Sequence, residues 1–153
     1  MLALRFYDVV LSLHVAAIVV AFGVVFTYPV VLPWLRRHHP GAMAVVHETQ
    51  TRLGRHVITP AATVALLAGA YLATDAELWS EPWVTIPFLI LVVILGLGGA
   101  VLTPTERRLT VLASSGVGSP EYDTGFRRLM TLSRLVAGLV LVAIFLMVTK
   151  PGA

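Results

Sequence analysis

Between Leu11 and Pro33 the chain reads LSLHVAAIVVAFGVVFTYPVVLP. This apolar run is about as long as a bilayer's hydrocarbon core is thick, and its one titratable side chain is His14. A run of that length predicts a membrane-spanning helix, because in lipid a backbone must satisfy its own hydrogen bonds. It is too long for a signal-peptide core and has no small-x-small cleavage site, so it is expected to be retained.

Three more apolar runs follow. The expected spans are residues 7–32, 57–73, 83–102 and 130–148, within a single domain covering 1–153. The fold class is therefore all-α, an integral membrane up-down four-helix bundle. The composition agrees: 58% of the 153 residues are hydrophobic and 12% are charged, too little polar side chain to cover a soluble domain.

Charge sets the expected orientation. Arg36, Arg37, Arg52 and Arg55 follow span one, and Arg107, Arg108, Arg127 and Arg128 follow span three. The loop after span two holds Asp75, Glu77 and Glu81 with no Lys or Arg. The positive-inside rule then places both termini outside and loops 33–56 and 103–129 in the cytoplasm. The same rule accounts for the formal charge of +3, so no nucleic acid is expected as a partner. The chain has no cysteine, which excludes disulfides, thiolate chemistry and iron–sulfur clusters.

Punctuation divides the rest. Pro33 and Trp34 are expected to end span one, Trp34 as an interfacial anchor, before Pro40-Gly41 breaks the chain. Residues 42–56 read as a polar helix leading into span two, with Glu48 and Arg52 at i,i+4. Ala61, Ala65, Gly69 and Ala73 form a ridge of small residues, and Gly96 and Ala100 a second pair, both suited to close helix approach. Thr103-Pro104-Thr105-Glu106 has the form of a capping box, which predicts a new surface helix over 104–113. Ser114 to Ser119 reads as a Gly/Ser linker, and Ser119-Pro120 opens the last helix.

Ionisable residues within spans carry the functional candidates, since such residues are costly in lipid and have partners or ligands. His14 shares a helix face with Tyr7, Ala17, Ala21 and Tyr28. Small residues at 17 and 21 admit either a neighbouring helix or a flat cofactor. A neutral imidazole is an axial ligand for haem iron; the alternative is an interior His bonded to another helix. Met147 is the first choice for a second ligand, against ordinary packing. His56, beside Arg55, is a candidate for a second cofactor or a proton path, against an interfacial His. Arg134 is a candidate for a haem propionate, a quinone oxygen or an anionic headgroup, against a snorkelling side chain. His38, His39 and His47 could form a surface metal site. His47 and His56 lie about two and a half turns apart, on opposite faces of one helix. No acidic residue is placed at mid-membrane depth, which argues against a proton-coupled exporter.

Leu13-His14, then Gly23, Pro33 and the Arg36-Arg37 pair, resemble a known pattern over roughly the first half of the chain. It is that of small bacterial predicted integral membrane proteins related to the CopD-type copper-resistance proteins and, distantly, to the HemJ-type protoporphyrinogen oxidases. LLAGAYLA around Gly69 resembles that family's second span. The resemblance implies a four-helix unit in a bacterial plasma membrane and puts His14 at a position linked to haem or porphyrin. The intramembrane lysine of the HemJ-type enzymes has no counterpart here, the one lysine being Lys150.

Three functions are thereby expected for weighing. One is a b-type haem protein that passes electrons or senses redox state, with His14 as metal ligand. Another is a non-catalytic membrane subunit or scaffold, whose basic loops face anionic lipid or a cytoplasmic partner. The third is a small transporter or copper-handling protein. The expected partners are the lipid bilayer and either a second copy, as a homodimer, or a larger membrane complex.

Overall fold

A computed structural model describes residues 5–152. Seven α-helical segments follow in order: α1 (Phe6–Phe22), α2 (Tyr28–His38), α3 (Met43–Leu53), α4 (Thr59–Asp75), α5 (Pro82–Leu97), α6 (Thr103–Ser114) and α7 (Pro120–Thr149). They line up as four rods, Phe6–His38, Pro40–Asp75, Pro82–Ser114 and Pro120–Thr149. At 1.5 Å per residue each rod is about 45–54 Å long, well beyond the ~30 Å hydrocarbon core. The apolar spans account for about 26–39 Å of each rod, and the surplus of polar helix gathers at the end that carries the basic loops.

Prolines explain why three rods are segmented without being broken. Pro29, Pro60 and Pro104 each occupy the second position of an α segment. Each follows an irregular turn: a 3-10 turn over Val25–Thr27, and π turns over Gly54–Ile58 and Gly98–Leu102. A proline inside a helix lacks an N–H and crowds the carbonyl four residues back. A tighter or wider turn just before it lets the rod continue. Gly23 sits at the first such irregularity, where a Cβ would lie 2.8 Å from the Val19 carbonyl oxygen.

The rods pack in sequence as an up-down bundle. α1 lies on α4, α3 on α6, α4 on α5, and both α5 and α6 on α7. α2 closes the ring against α7 at the basic end. Ala17 and Ala21 of α1 pack with Ala62 and Ala65 of α4 in the central core, completed by Leu91, Ile94, Val136 and Val140. Leu32, Met43, Leu109, Tyr122, Phe126, Leu129 and Met130 form a second core at the basic end. Trp83, Val84 and Ala73 close the terminal end.

Three local expectations are corrected. Span one does not stop at Pro33, which lies inside α2, and the helix runs on to His38. Thr103-Pro104-Thr105-Glu106 is not a capping box. The π turn carries the backbone straight through Thr103 in helical geometry, so no helix start exists there to cap. Gly96 and Ala100 face outward, and a Cβ at Gly96 would meet nothing within 4 Å. Of the expected small-residue ridge of span two, Ala65 and Ala73 are buried and Ala61 and Gly69 half-buried, while Ala62 and Ala68, outside that ridge, are buried as well. Ser119 caps α7 as expected, its Oγ accepting from the Tyr122 N–H at 3.1 Å.

Candidate functional site

His14 projects from α1 toward α4. Its Nδ1 lies 2.7 Å from the Ala65 carbonyl oxygen, a contact possible because Ala17, Ala21 and Ala65 keep the two helices close. A carbonyl can only accept, so Nδ1 carries a proton and donates, and in the neutral imidazole Nε2 keeps its lone pair. The imidazole also packs against Gly69, where a Cβ would lie 3.0 Å from Cε1 and 3.3 Å from Nδ1. The ring is thus bonded by one residue of α4 and closely packed by another.

The same ring borders a pocket of about 330 Å³. All four rods line it: His14 and Phe22 from the first, Ala65 and Gly69 from the second, Phe88 and Leu91 from the third, Val140 and Met147 from the fourth. Apart from His14 its walls are apolar. The pocket lies where the first and last rods diverge: α7 packs on α2 and on the 3-10 turn over Val25–Thr27, whereas toward the termini α1 and α7 do not pack closely. Val15, Val19 and Val148 are exposed along that seam, so the pocket opens sideways, where acyl chains would lie.

The structure brings His14 and Met147 together at this pocket and leaves the other candidates outside it. Arg134 is exposed on α7, about 20 Å along the axis from Met147. His56 is exposed in the π turn before α4. The surface metal site expected from His38, His39 and His47 does not form. His38 bonds the Trp34 carbonyl at 2.9 Å, whereas His47 is fully buried. Among the described residues no three His, Asp or Glu side chains gather to hold a metal ion.

His47 instead anchors a polar cluster in the basic-end core. Its Nδ1 donates to Gln50 Oε1 at 2.8 Å, and its Nε2 accepts from the Tyr122 hydroxyl at 2.9 Å. Arg36 pairs with Asp123 and lies over the Tyr122 and Phe126 rings, 5.2 and 4.9 Å from their centroids. Burial lowers the His47 pKa, against the opposing effect of Gln50. Burial also pushes Glu106, four residues past the apolar span, up to about 7. Glu106 is 7% exposed and makes no ion pair among the described residues.

Glu106 and Tyr122 were missed by reasoning from the sequence. A signal for Glu106 was present. Thr59-Pro60 and Thr103-Pro104 are the same dipeptide in the second and third rods, and in both the helix passes through from a preceding π turn.

A bundle of four rods with apolar spans defines the class: a small multi-pass integral membrane protein. The family model of predicted integral membrane proteins, DUF2269, matches residues 8–151, and the chain belongs to that family. No curated protein and no solved structure matches the chain.

Proposed function

We propose that the chain is a b-type haem protein of the bacterial plasma membrane, serving electron transfer or redox sensing. One observation carries the reading: the His14 Nδ1–H is held by the Ala65 carbonyl, while Nε2 belongs to an imidazole bordering an apolar pocket shared with Met147. Metal-ligating histidines have this arrangement, in which a backbone acceptor on the far nitrogen fixes the tautomer and raises ligand basicity. The donor set fits haem. His14 and Met147 would hold it, within apolar walls. Arg134 and His56 have no part in that fit. Bound haem would supply one-electron redox chemistry; the chain's own residues supply ligation, orientation and a low dielectric.

The resemblance of Leu13-His14 to the CopD- and HemJ-type pattern supports the same residue. The distribution of arginines supports an orientation with both termini outside and loops 33–56 and 103–129 cytoplasmic. The outward-facing Gly96 and Ala100 favour a second copy or a larger complex packing on α5.

The test is the visible spectrum of the detergent-purified protein, oxidised and reduced, beside His14→Ala. A Soret peak with reducible α and β bands, lost in the variant, is the expected result. A flat spectrum after expression with added haem would overturn it and leave the scaffold reading, with His14 as a helix-packing residue.

A further inference from the structure

A second pocket, of about 340 Å³, lies between α6 and α7 at the basic end. Its floor is Leu109, Leu112 and Gly125, and its rim carries Arg108, Arg128 and Glu121. Gly125 lets α6 approach, since a Cβ there would lie 3.0 Å from Leu109 Cδ2. Among the described residues the ion pairs are Arg36–Asp123 and Arg52–Glu48, so neither rim arginine is paired. Both are exposed.

Depth orders the rim. The apolar spans end near residues 102 and 130, so Arg108 and Arg128 sit about 3–9 Å beyond the hydrocarbon. Arg128 therefore lies within the headgroup layer, roughly 5–8 Å thick on each side, and Arg108 at its outer edge. Glu121 lies about 13 Å beyond it, farther into water. From the membrane outward the groove therefore presents two cations and then one anion.

A phospholipid headgroup with a phosphate nearest the acyl chains and an ammonium at its outer end has the complementary order. We propose that this groove binds the headgroup of a phosphoethanolamine lipid, its phosphate between Arg108 and Arg128 and its ammonium toward Glu121. Basic pockets between membrane helices are suited to lipid phosphate, and the guanidinium fork matches its oxygens. Glu121 separates this lipid from phosphatidylglycerol, whose outer end offers no cation, and from phosphatidylcholine, whose quaternary ammonium has no N–H to donate to a carboxylate. The site is independent of the His14 pocket, which lies at the other end of the bundle.

The test exchanges the full chain into nanodiscs of equal parts phosphatidylethanolamine, phosphatidylglycerol and phosphatidylcholine. Native mass spectrometry then identifies the lipid retained on extraction. Wild type is expected to retain one phosphatidylethanolamine. Arg108→Gln with Arg128→Gln should cut retention roughly tenfold or more. Glu121→Gln should keep a bound lipid but erase the preference over phosphatidylglycerol. Equal retention of the two lipids by wild type, indifference to the double substitution, or displacement by inorganic phosphate would each overturn the proposal. All three side chains are exposed, and Arg128→Gln alone serves as the fallback variant.

Discussion

The imidazole of His14 and the backbone of Gly69 touch with no room between them: a Cβ on Gly69 would stand 3.0 Å from His14 Cε1. That contact explains a glycine in the middle of α4, where the residue costs about 0.5–1 kcal/mol relative to alanine. Gly69→Ala recovers that helix term but presses on a ring already held by Ala65. We expect the overpacking, about 1–3 kcal/mol, to outweigh it. Net destabilisation is expected for Gly69→Ala and a small gain for Gly138→Ala, where a Cβ meets nothing within 4 Å. Thermal unfolding of the two variants in one detergent gives the comparison, and equal shifts would refute the contact.

His47 and Tyr122 hold the basic end. Tyr122→Phe removes one hydrogen bond and leaves the His47 Nε2 without a donor, for about 1–3 kcal/mol. His47→Ala strands both the Tyr122 hydroxyl and Gln50 and opens a cavity, so its cost should exceed that of Tyr122→Phe. Denaturant titration of the two variants checks the order; the reverse order would remove His47 from the centre of the network.

Glu106 predicts a pH dependence of definite sign. Its folded pKa, about 7, lies above its ordinary 4.5, so the folded state binds the extra proton between those values. Stability should therefore fall as pH rises from about 4.5 through about 7 and level off above. His47, with a lowered pKa, acts oppositely, losing stability as pH falls below its ordinary 6.5. The difference between wild type and Glu106→Gln isolates the first effect. The glutamine variant should gain on wild type as pH increases; parallel curves across that window would show that Glu106 is not buried as described.

Ser119 accepts from the Tyr122 N–H and so couples the last helix start to the buried tyrosine. Ser119→Ala should cost about 1 kcal/mol, seen as a lower unfolding midpoint, whereas Ser119→Asp should keep most of the stability. Equal losses in both would count against the cap.

The legibility of the chain followed the range of the interactions. The spans were readable because lipid imposes length and hydrophobicity locally, as at Leu11–Pro33 and Trp83–Leu102. His14 stood out because a titratable side chain in such a run is rare. Thr103–Glu106 was misread because a Thr-Pro-x-Glu string looks the same whether a helix starts there or passes through after a π turn. His47 was placed on a surface because its partner Tyr122 is 75 residues away.

By itself, then, the sequence determined a four-span α-helical membrane protein, the charge asymmetry of its loops and the candidacy of His14. These depend on composition and on periodicities within single helices. Tertiary structure decided which nitrogen of His14 is protonated, that Met147 rather than Arg134 or His56 shares its pocket, and that Glu106 is buried. Each depends on how far one rod slides and rotates against another, a quantity set by packing among Ala17, Ala21, Ala65 and Gly69 together and by no one stretch of chain.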